Sequence, residues 1–577
     1  MVYVAVYSLQ IFTSLLLFHS LGSGKSIACI AVAVDHYLYD KKKCIIITKG
    51  GSGTDNFVKQ IQRYKTMSSK KDKWDESVFS MKHYISLSNQ INLMTDDEIK
   101  NTYSNKIFIF DEIHNVRYLK RVNDASVYKS VIRMIKLCDN IKIILATATP
   151  MTDNSDQLVS VLSICNSTYI RNNIILDNLH LESPTKDTLL MLMRGVISYN
   201  PFILEKPISS YIGKSNYIQN LCIYTSMMES HQKDVYKMEL SKGVPNDIYR
   251  SLTHISLFCF YDGTYGRNIM DNKMVKIKHK NIITSVSTKQ TKEIRYVKYK
   301  IMPEFAYMLK GEHLRKSSSK YSKIIDIIEE SEGNIFIFLE EVKGSGLLLF
   351  ASILEEHGYE LYVGEDLSRL KPKKRYTFCV GSTELSPNNM ERLDGFNSDL
   401  NKNGEYVKIF LGSRVIGESI TFFNVRQFHG VTPHWNDSTI DQAIGRVVRN
   451  GSHSALEPEK RQVDIYINAA VLPDDPYNSI DTIKLQTCQE KQTNIQHMEQ
   501  LMIDNAVDKY CLRETDVIDI TDVTTFAIAY IDNHLEHILH GVTDVFMSRQ
   551  TININKLSRL VGIHPLICKE AICRIIL

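Results

Sequence analysis

No stretch of this 577-residue chain stays apolar for the ~20 residues that a membrane-spanning helix needs, which removes that class of protein. The 11 cysteines form neither CxxC pairs nor a Cys/His metal spacing. That argues against a zinc site or a disulfide framework, and for reduced, mostly buried thiols in an intracellular setting. Long internal repeats and low-complexity tracts are missing too. There is no Ser-His-Asp arrangement around a nucleophile elbow, and His36, His83, His254 and His434 lack partners at metal-binding spacing. Charge of either sign is not in excess: 69 Lys and Arg face 65 Asp and Glu, a net charge of +4. This permits a nucleic-acid partner without demanding one. Met1–Phe18 is apolar enough to imitate a signal peptide, but it has no charged start and runs directly into a phosphate-loop pattern.

A chain of this length fits two to four domains. The short apolar runs Leu15–Phe18, Cys44–Thr48, Ile107–Phe110 and Ile141–Ala146 alternate with helical stretches such as Ser26–Tyr39 and Ala125–Leu137. Runs apolar on both faces and separated by helices read as buried parallel strands. They predict a first α/β domain over residues 1–165. The rhythm lapses over 166–320, read as a linking or inserted module that includes a basic zone from Lys273 to Lys300. It returns at Ile335–Leu339, Glu360–Val363, Tyr376–Val380, Val407–Leu411, Arg426–Val431 and Val463–Ile467. These predict a second α/β domain over 321–475, followed by a mainly helical region over 476–577 with apolar spacing in Phe526–Leu539 and Pro565–Leu577.

Gly22-Ser23-Gly24-Lys25-Ser26 follows the first strand and opens a helix. Glycines let backbone N–H groups turn toward phosphate oxygens, and the helix N-terminus adds partial positive charge. Lys25 can neutralise β- and γ-phosphates and the Ser26 hydroxyl can ligate Mg²⁺. His19 stands where the full pattern has glycine. Asp111 and Glu112 end a buried strand, where open α/β sheets bind ligands. Asp111 can hold Mg²⁺ through water and Glu112 can polarise an attacking water. Thr147-Ala148-Thr149-Pro150 ends the next strand. Three strand-end motifs in this order form a candidate site.

Far downstream, Gln442, Arg446 and Arg449 fall at i, i+4, i+7 and are expected to share one helix face, anchored by Val447 and Val448. Such arginines stabilise charge on a transferring phosphoryl group when a second domain folds back onto the first. Ser413–Ser419, with Gly417 and Glu418, reads equally as a phosphate-contacting or an ordinary strand–loop–helix turn. The Lys273–Lys300 tract interleaves cations with Tyr296 and Tyr299, which fits a nucleic-acid groove or a solvated hairpin. Lys371–Arg375 reads as a charged loop before a strand.

GSGKS, DEIH, TAT and QAIGRVVR in this order resemble the superfamily 2 DExH helicases and translocases. The match covers roughly residues 10–165 and 320–475. Leu15-Leu16-Leu17-Phe18-His19, Arg194-Gly195-Val196-Ile197-Ser198-Tyr199 and Val342-Lys343-Gly344-Ser345-Gly346 further resemble the poxvirus-type transcription ATPases of large DNA viruses. In that group His19 is a family trait. The resemblance implies two tandem RecA-like domains with ATP between them. It implies that Gly22, Ser23, Gly24, Lys25 and Ser26 bind ATP phosphates, with Ser26 and Asp111 on Mg²⁺. Glu112, Gln442, Arg446 and Arg449 would be catalytic, and His114, Thr147 and Thr149 would couple hydrolysis to nucleic acid. The implied function is a nucleic-acid-dependent ATPase, acting on DNA more than RNA in viral early transcription. Alternatives are an RNA helicase and a nucleotide-switched assembly factor. Implied partners are a viral RNA polymerase or transcription-factor subunit, in the virion and host cytoplasm. Relatives also carry an upstream adenine-contacting glutamine. Gln10 is too close to the first strand to serve, which implies weak base recognition or a chain lacking its natural N-terminus.

Overall fold

In the computed structural model, the described residues are 13–20, 23–68, 70–116, 125–151, 156–166, 186–193, 195–201, 207–214, 221–242, 248–284, 291–413, 420–436 and 438–507. They fall into two compact units. The first comprises residues 1–202 and 493–577, the second residues 203–492. The expected segments Phe526–Leu539 and Pro565–Leu577 lie outside the described residues.

The first unit is built on six strands: β1 (Ser14–His19), β2 (Lys43–Thr48), β3 (Phe79–His83), β4 (Lys106–Asp111), β5 (Lys142–Thr147) and β6 (Ile197–Asn200). They lie in the order β3-β2-β4-β5-β1-β6, and every pairing is parallel. Burial dictates this arrangement. Leu15, Leu16 and Leu17 are inaccessible on both faces of β1, at about 1.5–3 kcal/mol per side chain. Helix α1 (Lys25–Asp40) covers one face through Cys29, Ile30, Val32 and Val34. Ala125–Leu137 covers the other through Val131, Met134 and Ile135.

The four strands read from the sequence are present. The alternation missed β3, a half-polar edge strand, and β6, which lies past the expected boundary at 165 and pairs with β1 from Leu16↔Ile197 to His19↔Asn200. The stretch from residue 493 also packs here. Ile495, Met498 and Met502 join the core, and the Val507 N–H donates to Ile197 O at 2.8 Å.

The second unit carries another parallel sheet. Its strands are β7 (Ile208–Tyr211), β8 (Tyr224–Met227), β11 (Asn334–Phe338), β12 (Glu360–Leu361), β13 (Arg375–Cys379), β14 (Ile409–Gly412), β15 (Val425–Gly430) and β16 (Gln462–Val471). The order is β12-β13-β14-β11-β15-β16-β7, with β8 also pairing β16. All six strands predicted after residue 330 are there, with ends shifted by a residue or more. Two parallel α/β sheets are what two RecA-like domains require. The expected linking module is shared out: β6 extends the first sheet, and β7 and β8 extend the second.

The basic tract forms a separate hairpin of β9 (Met274–Thr284) and β10 (Thr291–Ile301). Its cations are largely matched: Lys276 pairs with Glu384 at 2.7 Å, Lys280 with Glu293 at 2.7 Å, and Lys298 with Glu355 at 2.5 Å. Tyr296 is buried and stacks on His279 rather than facing solvent. Lys371–Lys374 is a loop before β13, as expected.

Beneath the second sheet, helix α2 (Ser319–Glu330) places Lys320 against Asp481, the second residue of helix α3 (Ile480–Asp504). Both side chains are inaccessible, and Nζ lies 2.6 Å from the carboxylate. Asp481 also accepts from the Ala470 N–H at 2.8 Å, and Lys320 donates to Val431 O at 3.0 Å. Among the described residues, no helix is long and apolar enough to cross a membrane, and the eight cysteines form no disulfide, seven of them being buried.

Candidate active site

In the first unit, β1 delivers the phosphate loop. Gly22 lies outside the described residues; Ser23, Gly24, Lys25 and Ser26 are described. Gly24 sits at φ 90°, a left-handed backbone that side chains resist, and caps α1. The cap residue Gly24 offers no side chain to the first amides of that helix, and among the described residues the Ser23 hydroxyl is buried without a partner. The Lys25 ammonium folds back on the loop, donating to His19 O at 2.8 Å and Ser20 O at 3.3 Å. Uncapped helical amides, a pliant glycine and a lysine held at the loop fit a phosphate chain.

His19 is structural rather than defective. It is buried, and its Nε2 lies 2.9 Å from Ser198 Oγ on β6. Burial, helped by the nearby Lys25 charge, pulls its pKa down to about 3, so the ring is neutral. The adjoining Phe18 and Tyr199 rings lie 5.2 Å apart, and the Ser20 N–H donates to Asn200 O at 2.8 Å. The LLLFH and RGVISY segments are thus one piece of structure: β6 buttresses the start of the phosphate loop. Ser198 belongs to the RGVISY segment, but nothing in the sequence assigns it to His19.

Asp111 ends β4, and the Tyr84 hydroxyl donates to its carbonyl at 2.7 Å. Burial raises the Cys29 thiol pKa; the Asp111 charge adds to that rise and the Lys25 charge opposes it. Glu112 follows at φ 51°, ψ 55°, a left-handed conformation that costs about 1 kcal/mol or more in a non-glycine residue. The Asn115 amide secures it by donating to Glu112 O at 2.8 Å. The Glu112 carboxylate then meets a closed polar set. His114 Nδ1 lies 3.3 Å from Glu112 Oε2 and 3.0 Å from Thr147 Oγ1, while the Thr147 hydroxyl lies 3.4 Å from Glu112. Thr149 N–H donates to Thr147 Oγ1 at 3.0 Å. The structure therefore brings Glu112, His114, Thr147 and Thr149 together at the carboxyl ends of β4 and β5.

In the second unit, helix α4 is better described by its ends, Ser438–Val447. Gln442 is half-buried and Arg446 buried. Val447 and Val448 are buried, as the anchoring reading required. Arg449 is not on the helix. The Ser452 hydroxyl takes up the Arg449 N–H at 3.3 Å and donates to Val447 O at 3.0 Å, ending the helix before the third position of the expected face. Arg449 is instead aimed by Thr421, whose hydroxyl accepts from its guanidinium at 2.7 Å. Burial lowers the Arg449 pKa without approaching neutrality. Thr421 carried no signal in the sequence. Arg414–Ser419, with Gly417 and Glu418, lies outside the described residues, although Ser413 is buried. The VKGSG segment is anchored rather than open: Ser345 Oγ donates to Phe258 O at 3.0 Å, and the Tyr321 hydroxyl to Ser345 O at 2.6 Å.

Residues 319–451 match the helicase conserved C-terminal domain. The 087L protein of Invertebrate iridescent virus 3, which carries a helicase name, is 28% identical over 531 residues, covering 86% of this chain and 51% of its own length. A killer plasmid pGKL-2 helicase of Kluyveromyces lactis, named as uncharacterized, is 28% identical over 512 residues, covering 88% of this chain and 69% of itself. The early transcription factor 70 kDa subunit of Fowlpox virus is 24% identical over 487 residues, covering 81% of this chain and 71% of itself. The chain spans about half the length of the iridescent virus protein. Residues 319–451 are thus similar to a helicase conserved C-terminal domain, and most of the chain is similar to helicase-named and early-transcription proteins of large DNA viruses, in line with the superfamily 2 resemblance of its motifs.

Proposed function

We propose that this chain is a nucleic-acid-dependent ATPase of the helicase and translocase class, acting on DNA in viral early transcription. The observation that carries the reading is the closed set Glu112–His114–Thr147–Thr149 beside the phosphate loop. It supplies a carboxylate to orient water, tied by direct hydrogen bonds to groups at the next strand end. Lys25 and the α1 amides hold the phosphates. Ser26 and Asp111 would hold Mg²⁺, which would neutralise charge developing on the phosphoryl oxygens. Arg446 and Arg449 are the second unit's arginines that the helicase resemblance assigns to phosphoryl charge. His114 and Thr147 link the carboxylate's position to the strand end that senses nucleic acid. Similarity to an early transcription factor subunit supports DNA as the track and a viral polymerase or factor as partner.

Phosphate release is the test, measured with no nucleic acid, with duplex DNA and with RNA. Duplex DNA should stimulate turnover more than RNA does, and Thr147→Ala should retain basal turnover while losing most of the stimulation. Stimulation by RNA alone favours an RNA helicase. Nucleotide binding without hydrolysis favours a nucleotide-switched assembly factor.

A further inference from the structure

A second concave site lies wholly within the second unit, at the amino ends of its strands. The segment just before β15 also meets the Arg446–Arg449 motif, where the Phe422 N–H donates to Arg446 O at 2.9 Å, but neither arginine lines the pocket. The pocket has a volume of about 370 Å³. Its walls come from three strand starts and two turns. Gly333 precedes β11, Lys408 precedes β14, and Arg426 is the second residue of β15. Lys402, Asn403 and Lys460 complete the lining.

The lining is strongly one-sided in charge. Lys402, Lys408, Arg426 and Lys460 face it, against the single carboxylate of Glu332. Other exposed lysines of this unit are paired, Lys373 with Glu360 and Lys374 with Glu329 among them. Among the described residues, neither Lys402, Lys460 nor Arg426 has an ion-pair partner. Two of the cations are also positioned. Lys408 Nζ donates to Ile328 O and Ser331 O, both at 2.7 Å, which fixes its stem against the end of α2. Arg426 Nε donates to Gln462 O at 3.2 Å, and its side chain lies over Gly333, where an added Cβ would come within 2.5 Å of Arg426 Cγ. Gly333, at φ +81°, leaves room for the stem of that side chain. Like charges gathered this closely repel one another unless an anion joins them. A planar guanidinium with flanking ammoniums matches phosphate geometry.

We propose that this pocket binds a phosphate group, either a phosphodiester of a nucleic-acid backbone or a free oligophosphate. It is separate from the phosphate loop and does not depend on ATP turnover.

The test uses the full chain carrying Lys25→Ala, which disables the phosphate loop. Inorganic pyrophosphate is titrated by calorimetry, and a fluorescent DNA duplex by anisotropy at several salt concentrations. Both are repeated with Lys402→Glu/Lys460→Glu and with the milder Lys402→Ala/Lys460→Ala. Both positions are exposed, so folding should be unaffected, and matching thermal unfolding verifies this. Pyrophosphate affinity weakened about tenfold or more by the charge reversal assigns a free-phosphate site. An unchanged pyrophosphate titration with a DNA salt slope lowered by about 2 assigns a backbone site. If neither probe responds to either double variant, the proposal is overturned. The reversal Lys59→Glu/Lys71→Glu, on the first unit, should move neither readout.

Discussion

His19 shows how one residue can look like a defect in the sequence and act as a brace in the fold. The chain places a buried imidazole where a phosphate loop usually has glycine, and Ser198 receives it. The folded pKa is about 3 against an ordinary 6.5, so the unfolded chain takes up a proton that the folded chain refuses. The His19 contribution is fully present above pH 6.5 and is lost as pH falls toward 3, by up to about 1.4 kcal/mol per pH unit. At pH 5 the first unit should have lost about 2 kcal/mol through this group. His19→Gln keeps a donor for Ser198 but does not titrate, so its melting temperature should fall less between pH 7 and pH 5; equal falls would refute the assignment. Much of the candidate site was legible at this scale, because Lys25, Asp111, Glu112 and Thr149 stand at strand ends marked by Ile- and Leu-rich runs. Ser198 and Thr421 were not, since a lone hydroxyl far along the chain shows its partner only after folding.

Elements were legible wherever burial left a mark on both faces of a strand. β1, β2, β4 and β5 announce themselves, as do β11 and β13–β16. β3 and β6–β8 are edge strands, short or partly polar, and alternation does not separate these from loops. The end of Ser438–Val447 was missed for a different reason: helical spacing continues past Val447, but the Ser452 hydroxyl stops the helix. Thr421→Val should release the Arg449 guanidinium, lowering the rate constant for ATP turnover about tenfold with little change in nucleotide affinity. An unchanged rate would mean that Arg449 is aimed by something else. The ion pair of Lys320 with Asp481 predicts a larger effect on stability. Asp481→Ala leaves the buried Lys320 ammonium without its counter-charge and the Ala470 N–H without its acceptor, and should cost the second unit about 3–5 kcal/mol in urea unfolding. The double variant Lys320→Met/Asp481→Leu should recover part of that loss.

For the whole molecule, the motifs gave a chain with two parallel α/β sheets, and both are present. Its division was less legible. The first unit takes up β6 and the stretch from residue 493, while the second starts near residue 203 rather than 320. Long-range pairing such as Leu16↔Ile197 leaves no local trace in composition. The central claim is that this chain couples ATP hydrolysis to nucleic acid through Glu112. The most direct measurement is phosphate release by the full chain with and without duplex DNA, for the wild type and Glu112→Gln. The account predicts DNA-stimulated release in the wild type and a fall of about 100-fold or more in the variant, with ATP still bound. Equal release by the two proteins, or none by either, would contradict it.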